Sequence, residues 1–241
     1  MMRESDLKLF AIDGIGEVRA GDDLATLLGD AIVAHGVGAL ESGDVLVVTS
    51  KIVAKAEGRV VRIDPADVMA KAILVESEST RVLRRRGDLL ITETTHGFVC
   101  ANAGVDLSNV EEGWAVLLPL DPDRSARRLR ADLRRRLGVE IAVIISDTFG
   151  RAWRNGVTDV AIGCSGIAGI VDLRGTPDAN GRILEATEVC VVDELASAAD
   201  LIMGKASNVP AVVIRGAQPE WLREGSVASE VIRTPDEDLF R

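Results

Sequence analysis

The sequence predicts a mixed α/β fold, and three observations support this prediction. Short apolar runs rich in β-branched residues recur along the 241 residues. Segments with a helical pattern lie between these runs. The two kinds of segment do not alternate as strict βαβ repeats, so no regular parallel architecture is predicted. A chain of this length buries a substantial core, and we expect residues 1–241 to form one domain, or one domain divided into two subdomains.

Most of the predicted strands are bounded by Gly, Asp or Pro, as buried strands commonly are. Two of the predicted helices place leucines on one face, and a third opens with acids and is rich in alanine. The helix over 125–137 surrounds its leucines with arginines, and we interpret that surface as a solvated helix face. The predicted strands are 45–48, 89–91, 115–118, 141–145, 189–192 and 211–214, and the predicted helices are 22–35, 125–137 and 194–203.

Composition and charge argue against several classes of partner. The chain has 28 Lys and Arg against 38 Asp and Glu, a formal net charge of −10, which is the wrong sign for a nucleic-acid surface. No apolar run reaches the ~18 residues of a membrane span, and the N-terminus lacks a signal-peptide pattern. The three cysteines are widely spaced, so a zinc site is not expected. We expect a cytoplasmic protein that binds neither nucleic acid nor membrane.

The two commonest nucleotide-binding motifs do not occur. Around "MGKAS", Ala199 and Ala206 stand where a P-loop requires a glycine and a hydroxyl. The segment "GIGEVR" has Arg19 in place of the last glycine of a GxGxxG turn. With two histidines and no GxSxG, a histidine-based triad is not expected either. A bound nucleotide would therefore need another kind of site.

Acids and hydroxyls follow the apolar runs instead. Asp147 and Thr148 follow the run 141–145 after a single serine and stand shortly before Gly150, and side chains at a strand end commonly meet ligands. A carboxylate and a hydroxyl are hard oxygen ligands that suit Mg²⁺ or Mn²⁺. The alternative is that Asp147 only caps a turn.

A second acid, Asp106, lies in "ANAGVDLSN", where small residues would let the backbone approach a ligand closely. Asp106 is a candidate second metal carboxylate, and Asn109 is a candidate hydrogen-bond donor to the ligand. The alternative for this segment is an Asx turn.

A third candidate segment is "VVTSKIVAKAEGR", in which a β run ends before a hydroxyl and two lysines. On a helix, Lys51 and Lys55 share one face. Together with Ser50 they form a candidate phosphate cradle. The alternative is an exposed helix face with no ligand.

These segments together resemble the coenzyme F420:L-glutamate ligase (F420-0:γ-glutamyl ligase) family, from about Leu9 to Phe240. The resemblance implies a GTP-dependent ligation of L-glutamate to F420-0 and then further γ-linked glutamates, with release of GDP and phosphate through an acyl phosphate. It also implies Mg²⁺ or Mn²⁺, an assisting K⁺, and an intertwined homodimer with an unusual mixed α/β fold. The segments that carry the resemblance are "GIGEVRAGDDL", "VVTSKIVAKAEGR", "LLITET", "ANAGVDLSN", "ISDTFGRAWRNG", "TEVCVVDELASAADLIMGK" and "VPAVVIRG".

The resemblance also implies roles for particular residues. It assigns Asp106, Asp147 and Thr148 to the divalent metal. Two departures from the family pattern concern Gly16, where many members have Pro, and Lys205, where some have Gln. If that position binds metal in those members, the cationic side chain of Lys205 cannot do so here, and any contact would go through its backbone carbonyl. The positions implied to hold GTP are Ile15, Gly16, Glu17, Val18, Ser50, Lys51, Lys55, Asn109, Met203, Gly204, Lys205, Ala206, Ser207, Asn208, Val209 and Pro210.

Arg151, Arg154 and Asn155 also match the family pattern, and we expect them to bind the acidic substrate or to orient Asp147. Trp153 is expected either to pack against the deazaflavin or to anchor the core. Two other functions stay open at this point. One is an NTP-dependent γ-glutamyl ligase for a different carboxylate, and the other is a non-catalytic nucleotide-binding subunit. In some relatives, a domain similar to this chain is fused to a C-terminal flavin-binding domain. We do not expect that flavin-binding domain in this chain.

Overall fold

The computed structural model describes residues 6–34, 39–108, 110–205 and 207–239. Its helices are α1 (Leu24–Ala34), α2 (Ser50–Ala56), α3 (Ala70–Ser77), α4 (Pro122–Leu137), α5 (Val191–Met203) and α6 (Val227–Glu230). Its strands are β1 (Lys8–Ile12), β2 (Val45–Thr49), β3 (Val60–Arg62), β4 (Ser79–Arg86), β5 (Leu89–Thr94), β6 (Val99–Ala101), β7 (Trp114–Val116), β8 (Ala142–Gly150), β9 (Val157–Ser165), β10 (Val171–Asp172), β11 (Glu188–Val189) and β12 (Ala211–Arg215).

The main sheet has five strands in the order β1-β12-β2-β8-β9. Strands β2 and β8 are parallel, and the other neighbours are antiparallel. Residues 45–48 and 142–146 in the middle of this sheet are all buried. Burial of both faces explains why these two strands read as continuous apolar runs rather than as alternating patterns.

Helices α1, α4 and α5 pack around the main sheet and complete its core. Helix α4 begins where Asp121 accepts a hydrogen bond from the Arg124 backbone N–H at 2.9 Å, and it ends at Gly138 in the left-handed conformation. Its residues Leu129 and Leu133 are buried while most of its arginines face solvent, as the sequence predicted.

Three smaller sheets lie outside the main one. Strands β4-β5-β6 form one, β3 and β7 pair as a second, and β10 and β11 pair as a third. The first two share a separate hydrophobic cluster with α3. The members of that cluster are Val75, Leu90, Ala103, Val105, Ala115 and Leu117. The mixed α/β class and its mixed sheets are confirmed, and none of the described helices has the length and hydropathy for a membrane crossing.

Two strand predictions need correction. The run 189–192 is divided, because Val189 ends β11 while α5 begins at Val191 and buries Val191 and Val192 in the main core. Asp193 and Glu194 in the first turn favour a helix start there through the helix dipole. The run 141–145 does not end a strand, because β8 continues to Gly150. Its polar second half is held by pairing with β9, a strand that the sequence analysis did not predict.

Candidate active site

A cavity of about 1620 Å³ opens beside the main sheet. It is larger than the roughly 300–1,000 Å³ typical of a pocket for one small ligand. Its walls bring together segments that are far apart in the sequence. They include 14–20, 49–52, Lys55, Val60, Asp106, Ser108, 110–111, Trp114, 146–148, Asp159, Asp200, 203–205 and 208–210.

The cavity lies where the parallel strands β2 and β8 differ in length. Strand β2 ends at Thr49, which pairs with Ser146 of β8, and α2 begins at the next residue. Strand β8 runs on for four more residues, so its edge on this side lies uncovered by β2 from Asp147 onward. A ligand site at the carboxyl end of a parallel strand is common in α/β proteins.

Asp147 lies at this uncovered edge. The Ser50 hydroxyl donates to Asp147 Oδ1 at 2.9 Å, which joins α2 to β8. Burial, helped by the negative charges of Asp159 and Asp106, raises the pKa of Asp147 to about 7, although the hydrogen bond from Ser50 opposes this. The turn-capping alternative is wrong, because Asp147 lies inside β8 and the chain turns only after Gly150.

Asp106 faces the same cavity from the loop before β7, and it forms the Asx turn that was the alternative, while its role as a metal carboxylate stays a prediction. Its Oδ2 atom lies 2.6 Å from Lys51 Nζ, and its Oδ1 atom accepts the Ser108 backbone N–H at 2.7 Å as in an Asx turn. Burial opposes ionisation of Asp106, but the bonds from Lys51 and Ser108 outweigh it and lower the pKa. The turn thus fixes a charged carboxylate that is already paired with a lysine.

The two lysines of α2 line the cavity rather than an exposed helix face. Lys55 is buried, and its Nζ atom lies 2.5 Å from Glu17 Oε1 in the loop over 14–20. Lys51 also donates to the Ser108 carbonyl and hydroxyl at 3.0 and 2.9 Å. The exposed-face alternative is therefore wrong for these residues, and both ammonium groups are held at the cavity wall.

Asp159 is an acid of this site that the sequence analysis missed. It lies on β9 directly opposite Thr148, and only 3% of it is exposed. Its carboxylate accepts hydrogen bonds from the hydroxyls of Thr148 at 2.6 Å and Ser146 at 2.9 Å. A charged residue inside the apolar pattern "VTDVAIG" was the available signal, since buried acids need partners.

Lys205 completes this cluster from the loop after α5. Its Nζ atom lies 2.6 Å from Thr148 Oγ1, 3.0 Å from Asp200 Oδ1 and 3.3 Å from Asp159 Oδ1. Burial alone would lower the pKa of Lys205, but the bonds and charges of Asp200 and Asp159 raise it. Thr148, a candidate metal ligand, is therefore bonded to an ammonium group.

The other predicted nucleotide positions divide into three groups. Those that line the cavity are Ile15, Gly16, Glu17, Val18, Met203, Gly204, Asn208, Val209 and Pro210. Ser207 is described but is not part of the lining. Asn109 and Ala206 lie outside the described residues.

Arg151, Arg154 and Asn155 lie together at the tip of the β8–β9 hairpin, where they are exposed. They are not part of the cavity lining in this chain. Trp153 at the same tip is 89% exposed and has a positive φ of 65°. The core-anchor alternative for Trp153 is therefore wrong, and its contact with a deazaflavin stays a prediction.

The residues around Asp147 fit a divalent cation. Within the described ranges, no three His, Cys, Asp or Glu side chains form a ready metal cage. Mg²⁺, however, is usually held by one or two carboxylates together with substrate phosphates and water. Asp147 offers such a carboxylate, and its pKa is raised first by burial and then by the negative charges of Asp159 and Asp106, which a cation would balance. The donor set is oxygen, as hard cations require.

Comparison with known proteins identifies the family. The family model described as F420-0:Gamma-glutamyl ligase matches residues 14–216. The coenzyme F420:L-glutamate ligase of Methanothermobacter thermautotrophicus is 42% identical, with coverage of 98% of this chain and 99% of the relative. The protein of the same name from Methanopyrus kandleri is 45% identical, with coverage of 93% and 94%. That from Archaeoglobus fulgidus is 40% identical, with coverage of 98% and 96%. The chain described here therefore belongs to the F420-0:γ-glutamyl ligase family.

Proposed function

We propose that this protein is a GTP-dependent coenzyme F420:L-glutamate ligase. It joins L-glutamate to F420-0, adds further glutamates through γ-linkages, and releases GDP and phosphate. The observation that carries the proposal is the meeting of Asp147, Asp106 and two lysines in one cavity that is large enough for more than one substrate. The names of the relatives over nearly the whole chain support the choice of F420-0 and glutamate.

In the proposed reaction, a carboxylate oxygen of F420-0 attacks the γ-phosphorus of GTP and GDP leaves. The amine of L-glutamate then attacks the carbonyl carbon of the acyl phosphate. The C–O bond to phosphate breaks, the amide forms, and the amine loses a proton. Each step brings anions together, so the site must supply positive charge and hold the reacting groups in place.

Asp106, Asp147 and Thr148 are the residues that would hold Mg²⁺ or Mn²⁺, with K⁺ as an assisting ion. When bound, a divalent ion offsets the negative charge of phosphate oxygens during phosphoryl transfer. Ser50 holds Asp147 in place for this role through its 2.9 Å hydrogen bond.

Lys51 and Lys55 supply the chain's own positive charge to the phosphates. Lys51 can exchange its bonds to the exposed residue Ser108 for bonds to a phosphate, and Lys55 can do the same with Glu17. The loop over 14–20 and the cavity-lining residues 203–205 and 208–210 would then contact the nucleotide. A lysine ammonium is a compact donor that suits phosphate oxygens.

Arg151, Arg154 and Asn155 are proposed to bind the acidic substrates, because the hairpin tip presents two guanidinium groups to solvent. The protein is further proposed to be a homodimer. An Arg154→Ala variant whose KM for F420-0 and for glutamate is unchanged would contradict the substrate role of the tip.

The test is an incubation of the full chain with F420-0, L-glutamate, GTP and Mn²⁺, followed by mass spectrometry of the F420 species. We expect products heavier by one or more glutamyl units. Asp147→Ala is expected to abolish them, whereas Asp236→Ala, which removes an exposed acid near the C-terminus, is expected to leave them unchanged.

Other outcomes separate the alternatives. Ligation to a different carboxylate but not to F420-0 would mean a related γ-glutamyl ligase. GTP-dependent thermal stabilisation without any product would mean a nucleotide-binding protein that does not catalyse ligation. Turnover with ATP but not with GTP would contradict the choice of nucleotide.

A further inference from the structure

Three oxygen atoms lie within 3.3 Å of the ammonium group of Lys205 at one side of the cavity. They belong to Thr148, Asp159 and Asp200, at 2.6, 3.3 and 3.0 Å from Nζ. A lysine ammonium has three N–H donors, so these acceptors match its hydrogen-bonding capacity. Two of the three are carboxylates, so the group also balances charge.

The partners of Lys205 differ from those of Lys51. Lys51 shares its donors between Asp106 and Ser108, which is exposed and can yield to a ligand. The Lys205 side chain is itself 59% exposed, but it balances Asp159, whose side chain is only 4% exposed. Drawing the ammonium away would leave a buried charge without its cation, which is energetically costly.

Asp147 differs from both Asp106 and Asp159. Among the described residues, Asp106 is paired with Lys51, and Asp159 is paired with Lys205. The side-chain hydrogen bond that Asp147 receives in the same part of the chain comes from the uncharged Ser50 hydroxyl. At Asp159 an attached ammonium group already balances the carboxylate, whereas no lysine of the described residues pairs with Asp147, so the Asp147 side is the one that can take up a cation.

We propose that Lys205 is a built-in cation that occupies the position formed by Thr148, Asp159 and Asp200. An exchangeable cation then binds only on the Asp147 side. This inference deepens the proposed function, because it concerns the same cavity, but its test measures ion binding rather than turnover. It makes Lys205 a positioning residue for Thr148 and not a ligand of the nucleotide phosphates.

The test counts Mn²⁺ ions bound per chain by electron paramagnetic resonance, with and without GDP. The Lys205→Met variant, which removes the charge and keeps most of the length, is expected to bind an additional Mn²⁺ ion compared with the wild type. Lys205→Arg keeps the charge and is expected to bind as many ions as the wild type. Lys8→Met makes the same chemical change at the opposite end of the main sheet, and this variant is expected to bind no additional Mn²⁺ ion.

Thermal melting in the same buffers provides a second measurement. The metal-free Lys205→Met protein is expected to melt below the wild type, and Mn²⁺ is expected to restore more of its stability than it adds to the wild type. Lys205→Gln serves as the second variant if Lys205→Met does not fold. Equal Mn²⁺ counts for wild type and both uncharged variants, or equal Mn²⁺ stabilisation, would overturn the proposal.

The ion counts also separate this inference from the proposed function. Asp147→Ala is expected to lose the exchangeable ion of the wild type, and the Asp147→Ala, Lys205→Met double variant is expected to keep only the additional one. A protein that fails to ligate F420-0 but shows this pattern would contradict the proposed function alone. A protein that ligates F420-0 but shows no additional ion in Lys205→Met would contradict the Lys205 inference alone.

Discussion

Ser50 and Asp147 lie 97 positions apart in the sequence, yet the Ser50 hydroxyl donates to Asp147 Oδ1 at 2.9 Å. Ser50 is the first residue of α2, and Asp147 is the first residue of β8 beyond its pairing with β2. The two residues meet because β2 ends and α2 begins at Ser50, whereas the neighbouring strand β8 continues past that point. The hydrogen bond fixes the carboxylate around which the proposed reaction is arranged.

Ser50→Ala is expected to weaken Mn²⁺ binding roughly fivefold, because a hydrogen bond that holds a charged acceptor contributes about 1 kcal/mol or more. Isothermal titration calorimetry of Mn²⁺ with the variant and the wild type measures this effect. Ser77→Ala removes a hydroxyl whose bond stays within α3 and should leave Mn²⁺ binding unchanged. An unaltered affinity in Ser50→Ala would mean that Asp147 is held by the β8 backbone alone.

Lys51→Met is expected to weaken binding of a fluorescent GTP analogue by about tenfold or more, since an ammonium–phosphate bond is a strong charge-assisted one. The loss has a second cause, because the variant leaves Asp106 without its 2.6 Å partner and adds repulsion toward phosphate. Fluorescence anisotropy measures the affinity. Lys8→Met, with the same chemical change away from the cavity, should bind as the wild type does. A Lys51→Met protein that binds the analogue normally would contradict the phosphate role.

Asp123→Ala is expected to destabilise the fold by about 3 kcal/mol, because it leaves several buried donors without an acceptor. The Asp123 carboxylate accepts the backbone N–H groups of Cys164, Val227 and Ala228, and also the Ser226 hydroxyl. Asp121→Ala removes only the N-cap of α4, for an expected cost of about 1 kcal/mol. Urea unfolding of both variants measures the loss in the free energy of unfolding. An equal loss in the two variants would contradict a larger contribution of the Asp123 hydrogen bonds to stability.

Glu230→Gln is expected to lower stability at neutral pH by about 1 kcal/mol, because it weakens charge-assisted hydrogen bonds. Burial opposes ionisation of Glu230, but bonds from Arg223 and from the Ile170 and Gly169 backbones outweigh it and lower the pKa. A carboxylate whose pKa is lower in the folded state stabilises the fold at pH values above its unfolded pKa of about 4.3. That stabilisation is lost as the pH falls through the folded-state pKa.

The difference in the free energy of unfolding between wild type and Glu230→Gln should therefore stay constant from about pH 8 to pH 5 and shrink below about pH 4.3. Denaturant unfolding at a series of pH values measures it. A difference that grows as the pH falls would contradict the assigned direction of the pKa shift.

Much of the main sheet could be predicted from local pattern, and the rest could not. The runs that became β2 and β12 are apolar throughout, because strands buried on both faces leave no polar alternation. The run 189–192 is also apolar throughout, yet its second half is helical. Packing against the core and the acids that follow favoured a helix there over a strand of similar propensity. Strand β9 was missed because its polar residues, Thr158 and Asp159, find their partners only in the folded chain.

The family, the mixed α/β class and the residues at which chemistry is expected could all be predicted from short motifs, because these motifs retain residue types in a fixed order. How those residues meet depends on the folded chain. It paired Asp106 with Lys51, held Asp147 through Ser50, and placed Lys205 against Thr148 and Asp159. These pairings depend on strand lengths and on the register between β8 and β9, which are settled by burial of the whole core and not by any local segment.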